Sequence, residues 1–245
     1  MRLAVVTGGS KGLGLALCEQ LAVAGYRVLE FSRSAPHGFS VSVDLAAPLA
    51  ARAVVDAALA PFADGPLDEL VFIGNAATLD PMVPATEADG AAVDAHMAIN
   101  FTSAVLLMTA FMARFQSHAC RKRIFSISSG AAQKAYAGWS MYCASKAALE
   151  RFVEVAALEQ AGQPHPFELF NINPGVMDTA MQAQIRAART QDFPEVERFI
   201  RRQAEGELAA PADVARAIVR MLADEGIASG GRYAAREWAR TSDAP

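Results

Sequence analysis

Paired cysteines and long uncharged apolar runs are both missing from this chain. Its 245 residues include three cysteines, Cys18, Cys120 and Cys143, an odd number with no C-x-x-C spacing, which argues against a disulfide framework and a thiolate zinc site. Cys143 adjoins Tyr142 and reads as a small packed residue. The four histidines, His37, His96, His118 and His165, are scattered without the spacing of a metal site, so no metal is expected. The opening MRLAVVTGG has too short an apolar run for a secretion signal and no small-residue cleavage site. No later stretch reads as long and uncharged enough to span a bilayer, so a cytoplasmic protein with no membrane partner is expected. An excess of positive charge is missing too. Against 26 Asp and Glu stand 22 Lys and Arg, a net charge of −4, which would attract neither nucleic acid nor an anionic surface. A small-molecule ligand is the remaining class, and 53% hydrophobic residues suffice to bury the core of one α/β domain.

What the chain does have is a regular alternation. Residues 3–7 form an apolar run ended by Gly8-Gly9, and 13–24 carry a helical pattern closed by Gly25, which together read as strand, glycine turn and helix. The glycines fall as Gly8-x-x-x-Gly12-x-Gly14. The first allows a tight turn, and the other two let a ligand and the helix approach the backbone. A pyrophosphate would sit at the helix N-terminus, where free N–H groups and the dipole favour an anion. The spacing is neither G-x-G-x-x-G nor a P-loop, and alone it equally suits a plain strand–helix connection. Residues 27–31 read as a second strand, and Ser32-Arg33-Ser34 stand just past it, where a dinucleotide fold meets the adenine ribose. An acid there bonds a 2′-hydroxyl, whereas an Arg suits a 2′-phosphate. Arg33, with Lys11 in the glycine turn, therefore favours NADP over NAD, the other reading being two solvated surface cations.

Further strands are expected at 40–43, ending at Asp44; at 67–73, running into Gly74-Asn75-Ala76-Ala77; at 124–127; at 167–172, ending in Asn173-Pro174-Gly175; and at 232–233. Helices are expected at 49–62, 87–115, 139–160 and 211–222. Asn100 falls inside the second of these, where its poor propensity calls for a reason; a cap on a neighbouring loop is one. This alternation implies a single-domain Rossmann fold over 1–245, a doubly wound parallel sheet of seven strands with helices on both faces. Its ligands would lie at the C-terminal ends of the strands. Residues 178–206 break the alternation and read as mobile helices covering the crevice or as an ordinary amphipathic insertion. Residues 241–245 read as a flexible polar tail.

The stretch SSGAAQKAYAGWSMYCASK at 128–146 is the candidate reaction centre. Tyr142 and Lys146, at i and i+4, share one helical face. An ammonium beside a phenol favours the phenolate, so the tyrosine could exchange a proton nearer neutrality than its usual pKa of about 10. Ser129, in a turn after an apolar run, could donate to the same substrate oxygen. The spacing alone also suits a surface lysine lying over a half-buried tyrosine. Tyr136, Trp139 and Met141, with Met177, Met181 and Phe193 after the sixth strand, promise a pocket walled by aromatic and thioether groups.

Over residues 3–235 the chain resembles the short-chain dehydrogenase/reductase family. The matching motifs are TGGSKGLG at 7–14, Asp44, Asn75-Ala76, Asn100, SISSG at 126–130, YCASK at 142–146 and PGVMDT at 174–179. The resemblance implies Tyr142 as acid/base and Lys146 lowering its pKa while holding the nicotinamide ribose. It implies Ser129 on the substrate oxygen, thirteen residues before Tyr142 and so preferred to Ser128, and Asn100 keeping a water in a proton relay. NADP(H) contacts are implied at Gly8, Ser10, Lys11, Gly12, Leu13, Gly14, Ser32, Arg33, Asp44, Leu45, Asn75, Ala76, Tyr142, Lys146, Pro174, Gly175, Val176 and Thr179. Substrate contacts are implied at Ser129, Tyr136, Trp139, Met177 and Met181. Gly74-Asn75-Ala76-Ala77 departs from the family's usual Asn-Asn-Ala-Gly. More narrowly, GWSMYCASKAALE and PGVMDTAMQ look like the branch that holds bacterial benzil reductases and sepiapterin reductase, which implies NADPH-dependent reduction of a ketone or α-dicarbonyl. The alternatives are a 3-oxoacyl thioester reductase and a non-catalytic NADP(H)-sensing protein. A homodimer or homotetramer is expected, because helices 100–115 and 139–158 have more apolar positions than one sheet face covers.

Overall fold

The computed structural model describes residues 1–239, so the tail expected at 241–245 lies outside the described residues. Seven parallel strands form one sheet in the order β3-β2-β1-β4-β5-β6-β7. They are β1 (Arg2–Thr7), β2 (Arg27–Ser32), β3 (Ser40–Ser42), β4 (Glu69–Gly74), β5 (Arg121–Ile127), β6 (Glu168–Asn173) and β7 (Arg232–Ala234). The chain builds outward from β1 to β3, then crosses back to pair β4 on the other side of β1, with Thr7 opposite Gly74. That reversal opens a crevice beyond the C-terminal ends of β1 and β4, where the fold binds ligands.

The strand interiors are apolar on both sides because both faces are covered. Along β1, Leu3 and Val5 join one core and Ala4 and Val6 the other, as the two-residue period of a strand requires. On the first face lie α2 (Pro48–Leu59), α4 (Ala104–Phe115) and α5 (Ser140–Gln160), which bury among others Val55, Phe111 and Val153. On the second lie α1 (Gly12–Val23) and α8 (Pro211–Met221), with Leu17, Leu21, Ile218 and Met221 buried between them and the sheet.

Three local departures from expectation have physical causes. First, β5 starts at Arg121 rather than 124, because Lys122 and Arg123, both buried, find helix C-termini. Lys122 Nζ donates to the carbonyls of Phe115 and Gln116 (3.2 and 2.8 Å), and Arg123 donates to those of Met221 and Leu222 (3.0 and 3.2 Å) and to Glu168 (2.7 Å). Carbonyls at a helix end carry partial negative charge, so a cation is stable there. Second, the helix expected from 87 starts as α3 (Gly90–Met97), where Asp89 caps it by accepting from the Ala92 amide (3.1 Å). Third, a widened π-type turn, Ala98–Ser103, links α3 to α4 and contains Asn100. The combined run Gly90–Phe115 is, by length and composition, apolar enough to cross a membrane, contrary to expectation. Here Leu107, Met108, Phe111 and Phe115 on it pack into the sheet.

Candidate active site

The glycine turn between β1 and α1 is shaped by contacts that a side chain would block. A Cβ on Gly14 would fall 2.1 Å from the Gly8 carbonyl oxygen and 2.6 Å from Asn75 Nδ2. Asn75 braces that turn: its Nδ2 donates to the carbonyls of Thr7 and Gly8 (3.1 and 3.0 Å), while Thr7 Oγ1 accepts from the amides of Asn75 and Ala76. Glu30, fully buried on β2, accepts from the Gly9 amide (2.8 Å) and the Ser32 hydroxyl (3.1 Å). No side chain caps the N-terminus of α1, so its first amides are free to face an anion. A dinucleotide pyrophosphate fits this cradle.

Of the residues expected beside the adenine ribose, Lys11 and Arg33 are exposed and have no ion-pair partner among the described residues. Ser32 is different, since it is buried and its hydroxyl is spent on Glu30. Asp44 is exposed beyond β3 and accepts from the Ala46 amide (3.0 Å). Leu13 and Leu45 are core side chains, so any ligand contact there is left to their backbone, and Ser10 lies in the turn itself.

A cleft of about 530 Å³ lies beyond β5 and β6. It gathers Ser129, Tyr136, Trp139, Tyr142, Met177 and Met181, together with the loop of Pro174, Gly175, Val176 and Thr179. The five expected substrate contacts therefore share one wall system with the phenol. Thr179 also comes within 3.5 Å of where a Gly12 Cβ would stand, so the cleft abuts the glycine turn. Two helices from residues 178–206, α6 (Ala180–Arg186) and α7 (Val196–Ala204), close the far side through Ile185 and Phe199. The expected places of Met141 and Phe193 in the wall are corrected, since neither lines the cleft. Phe193 is fully buried behind Trp139, stacked at 4.5 Å and 11°, and Phe199 takes the lining position. Gly138 permits this packing: a Cβ there would meet the Asp192 carbonyl oxygen at 2.0 Å.

At the reaction centre, the two serines separate by partner. Ser128 Oγ donates to Glu150 Oε1 at 2.5 Å, and Arg232 reaches the same carboxylate at 2.9 Å and the Ser129 carbonyl at 3.2 Å. Ser129 Oγ accepts from the Ala131 amide (3.2 Å), which leaves its proton for an oxygen in the cleft, and its hydroxyl lies near enough to the Tyr142 phenol to favour the phenolate. Lys146 lies buried behind the tyrosine, with Nζ 5.8 Å from the ring centroid, and donates to the Ile127 carbonyl at 2.7 Å.

The electrostatics correct the expectation for this pair. Burial pushes the Tyr142 phenol up to about 12, with the Ser129 hydrogen bond opposing it only in part. Burial also brings the Lys146 ammonium down to about 8, against support from Glu150. The lysine does not lower the tyrosine here, because removing both groups from water penalises phenolate and ammonium alike. It spends its hydrogen bond on Ile127 instead.

Asn100 is buried, and its amide is used on both sides. Its Oδ1 accepts from the Thr78 amide (2.8 Å), and its Nδ2 donates to the Thr78 carbonyl (2.9 Å) and lies 2.9 Å from His96 Nε2. The π turn around it is the structural reason for an asparagine within a helix, since such turns free backbone groups at functional positions. His96 is one of the four histidines that show no metal-site spacing in the sequence. It proves fully buried, with Nδ1 2.6 Å from the Asp80 carbonyl and Nε2 3.0 Å from Ser145 Oγ, its ring edge-on to Tyr142. Its burial lowers its pKa, so it is neutral, donating to Asp80 and accepting at Nε2. The position of His96 one turn before Asn100 was the available signal. For Glu150, one turn after Lys146, and for its distant partner Arg232 there was none of comparable clarity.

The profile of the short chain dehydrogenase family matches residues 2–190. The chain is 34% identical over 243 residues to the benzil reductase ((S)-benzoin forming) of Bacillus subtilis (strain 168), covering 97% of this chain and 100% of that one. It is 30% identical over 249 residues to the sepiapterin reductase of Mus musculus, covering 92% and 93%. Among solved structures, the KRED1-Pglu enzyme superposes with a TM-score of 0.81 at 28% identity, covering 95% of this chain and all of that one.

Proposed function

The chain belongs to the short chain dehydrogenase family and is an oxidoreductase acting on C=O and CH–OH groups; on that premise we propose that it is an NADPH-dependent carbonyl reductase. Its substrates are compact aromatic ketones and α-dicarbonyls. The observation that carries this reading is the shared cleft: Tyr142 and Ser129 line one space together with Trp139, Tyr136, Phe199, Met177 and Met181. Flat rings suit such walls.

Bound NADPH would supply a hydride to the carbonyl carbon, with the glycine turn and the uncapped α1 holding its pyrophosphate and with Lys11 and Arg33 meeting a 2′-phosphate. The chain supplies the rest. Ser129 donates to the substrate oxygen and holds it beside the phenol, where negative charge develops as the C=O π bond breaks. Tyr142 then delivers its proton to that oxygen, and a proton from solvent restores the phenol. Lys146, buried next to Tyr142, keeps a positive charge near the transient phenolate, and Glu150 supports that charge from one helical turn away. Arg232 and Ser128 fix Glu150 and the Ser129 backbone. The exposed Val155 and Leu158 on α5 support pairing of copies as a homodimer or homotetramer.

Aromatic 1,2-diketones, simple aryl ketones and an acetoacetyl thioester, each offered with NADPH and with NADH, test the reading through loss of reduced-nicotinamide absorbance. The expected result is turnover with NADPH and a kcat/KM highest for the diketones. Preference for the thioester would replace this reading with a 3-oxoacyl reductase. Binding of NADPH without turnover of any carbonyl would make the chain a sensor.

A further inference from the structure

One side chain in the cleft is buried with every polar atom unpartnered. Gln182, in α6, is 3% exposed, and neither its Oε1 nor its Nε2 has a hydrogen-bond partner among the described residues. Its backbone is fixed, because its amide donates to Thr179 Oγ1 (3.3 Å) at the helix cap. Three residues on, on the same helical face, Ile185 packs into a cluster with Tyr142, Trp139 and Phe199. Gln182 therefore faces the half of the cleft that holds the phenol, and it lines that cleft together with Ser129. Buried amide groups are normally bonded, and a methionine or leucine would fill the same volume without that deficit. The indole Nε1 of Trp139, in the same cleft, is also buried without a partner. Two orphaned polar groups beside one reaction centre call for a ligand with oxygen on its face as well as at the reacting carbon.

We infer that Gln182 reads the second oxygen of a 1,2-dicarbonyl substrate while the first oxygen lies between Ser129 and Tyr142. This rests on the carbonyl-reductase reading above. A carboxamide suits both ends of the reaction, since its N–H donates to a ketone oxygen and its carbonyl accepts from the hydroxyl of an α-hydroxy ketone. Rotation about the glutamine's own side-chain torsions turns the amide toward the cleft without moving α6.

The test is Gln182→Met, which keeps the volume and removes both polar atoms, with Gln182→Leu as the second variant. The substrates are 1-phenyl-1,2-propanedione and propiophenone, which differ by one carbonyl in place of a methylene. In the unmodified enzyme and each variant the ratio of kcat/KM for the two is measured, so that the diketone's intrinsic reactivity cancels. The ratio is expected to fall about tenfold in the variants, the scale of one substrate hydrogen bond. The affinity for NADPH stays the same, and Tm holds or rises because a buried unpartnered amide is gone. An unchanged ratio overturns the inference. So does an equal loss on both ketones with weaker NADPH binding, which assigns Gln182 to the cofactor, or with a lowered Tm, which makes it structural. Failure of the unmodified protein to reduce either ketone overturns the carbonyl-reductase reading itself, and this inference with it.

Discussion

Replacing Lys146 by methionine tests the central electrostatic feature of the site in the free protein. The group titrates ordinarily at 10.5 and is brought to about 8 by burial, so the folded state resists its protonation. The sign follows from proton counts: between pH 8 and 10.5 the unfolded chain binds more protons at this lysine than the folded chain does, so stability rises with pH across that window. The penalty is complete below pH 8 and is relieved as pH climbs toward 10.5. At about 1.4 kcal/mol per pH unit the whole displacement is worth about 3 kcal/mol, of which about 2 is recovered between pH 7 and 9.5. Lys146→Met also loses the bond to the Ile127 carbonyl, at a cost of about 1 kcal/mol. That cost is independent of pH because a neutral amine donates as well. The other shifted groups do not disturb the comparison: His96, which Lys146 helps to lower, changes stability only below its ordinary value of 6.5, outside the window, and Cys18, raised to about 12, and Tyr142, also raised, owe nothing of their shift to Lys146 and change stability only above their ordinary values. The assay is urea unfolding of both proteins at pH 7 and 9.5, without cofactor. The variant's stability relative to the parent should fall by about 2 kcal/mol between the two pH values. A relative stability that is the same at both would mean that Lys146 titrates as in water, and the reasoning would fail.

Tyr142→Phe should lower kcat by a factor of about 10² to 10⁴ while NADPH affinity stays the same, because the ring contacts with Trp139 and His96 survive; a rate within tenfold of the parent would move the acid elsewhere. Arg33→Ala should weaken NADPH binding by about 1.5–3 kcal/mol and leave NADH binding nearly unaltered, as expected for one charge-assisted contact to a 2′-phosphate; titration of both cofactors decides it, and equal losses would refute it. Glu150→Gln removes the charge that supports the Lys146 ammonium, so the alkaline limb of kcat/KM should move to lower pH by about one pH unit. A limb that stays in place would show that the carboxylate acts only as a tether for Ser128 and Arg232.

The alternation of apolar runs and helical patterns was enough to read the sheet, because seven strands covered on both faces leave a nearly continuous apolar signal. It failed at β5, where Lys122 and Arg123 hide a strand start: their partners are carbonyls at the ends of helices that only the folded chain brings near. The long helix through Asn100 was legible, but its widened turn was not, since a π turn leaves no period of its own in a short segment. Within the site, Ser129 and Tyr142 were legible from their places after a strand and on one helix, whereas Thr179 came only with the family resemblance. Glu150 and Arg232, separated by 82 residues, were not. Nor was the exchange of Phe193 for Phe199 in the wall, which depends on Asp192 packing over Gly138.

Spacing alone misleads on the tyrosine–lysine pair, for a reason that reaches the chemistry. An i, i+4 interval reports which side chains share a face, and from it an ammonium beside a phenol is expected to favour the phenolate. The sign of the net effect is decided by water. With Tyr142 at 6% exposure and Lys146 at 3%, the loss of hydration outweighs the Ser129 hydrogen bond to the phenol and the pull of Glu150 on the ammonium, and each group is driven toward its neutral form. For the tyrosine that outcome suits a reductase. Near neutrality a phenol with a pKa of about 12 is fully protonated, which is the form that must give a proton to a newly formed alkoxide, a far stronger base than the phenolate left behind. Oxidation of an alcohol would need that phenolate at the start, and the same burial opposes it. The depth at which the sheet and α5 hold Tyr142 thus keeps the phenol of the free protein in its proton-donating form.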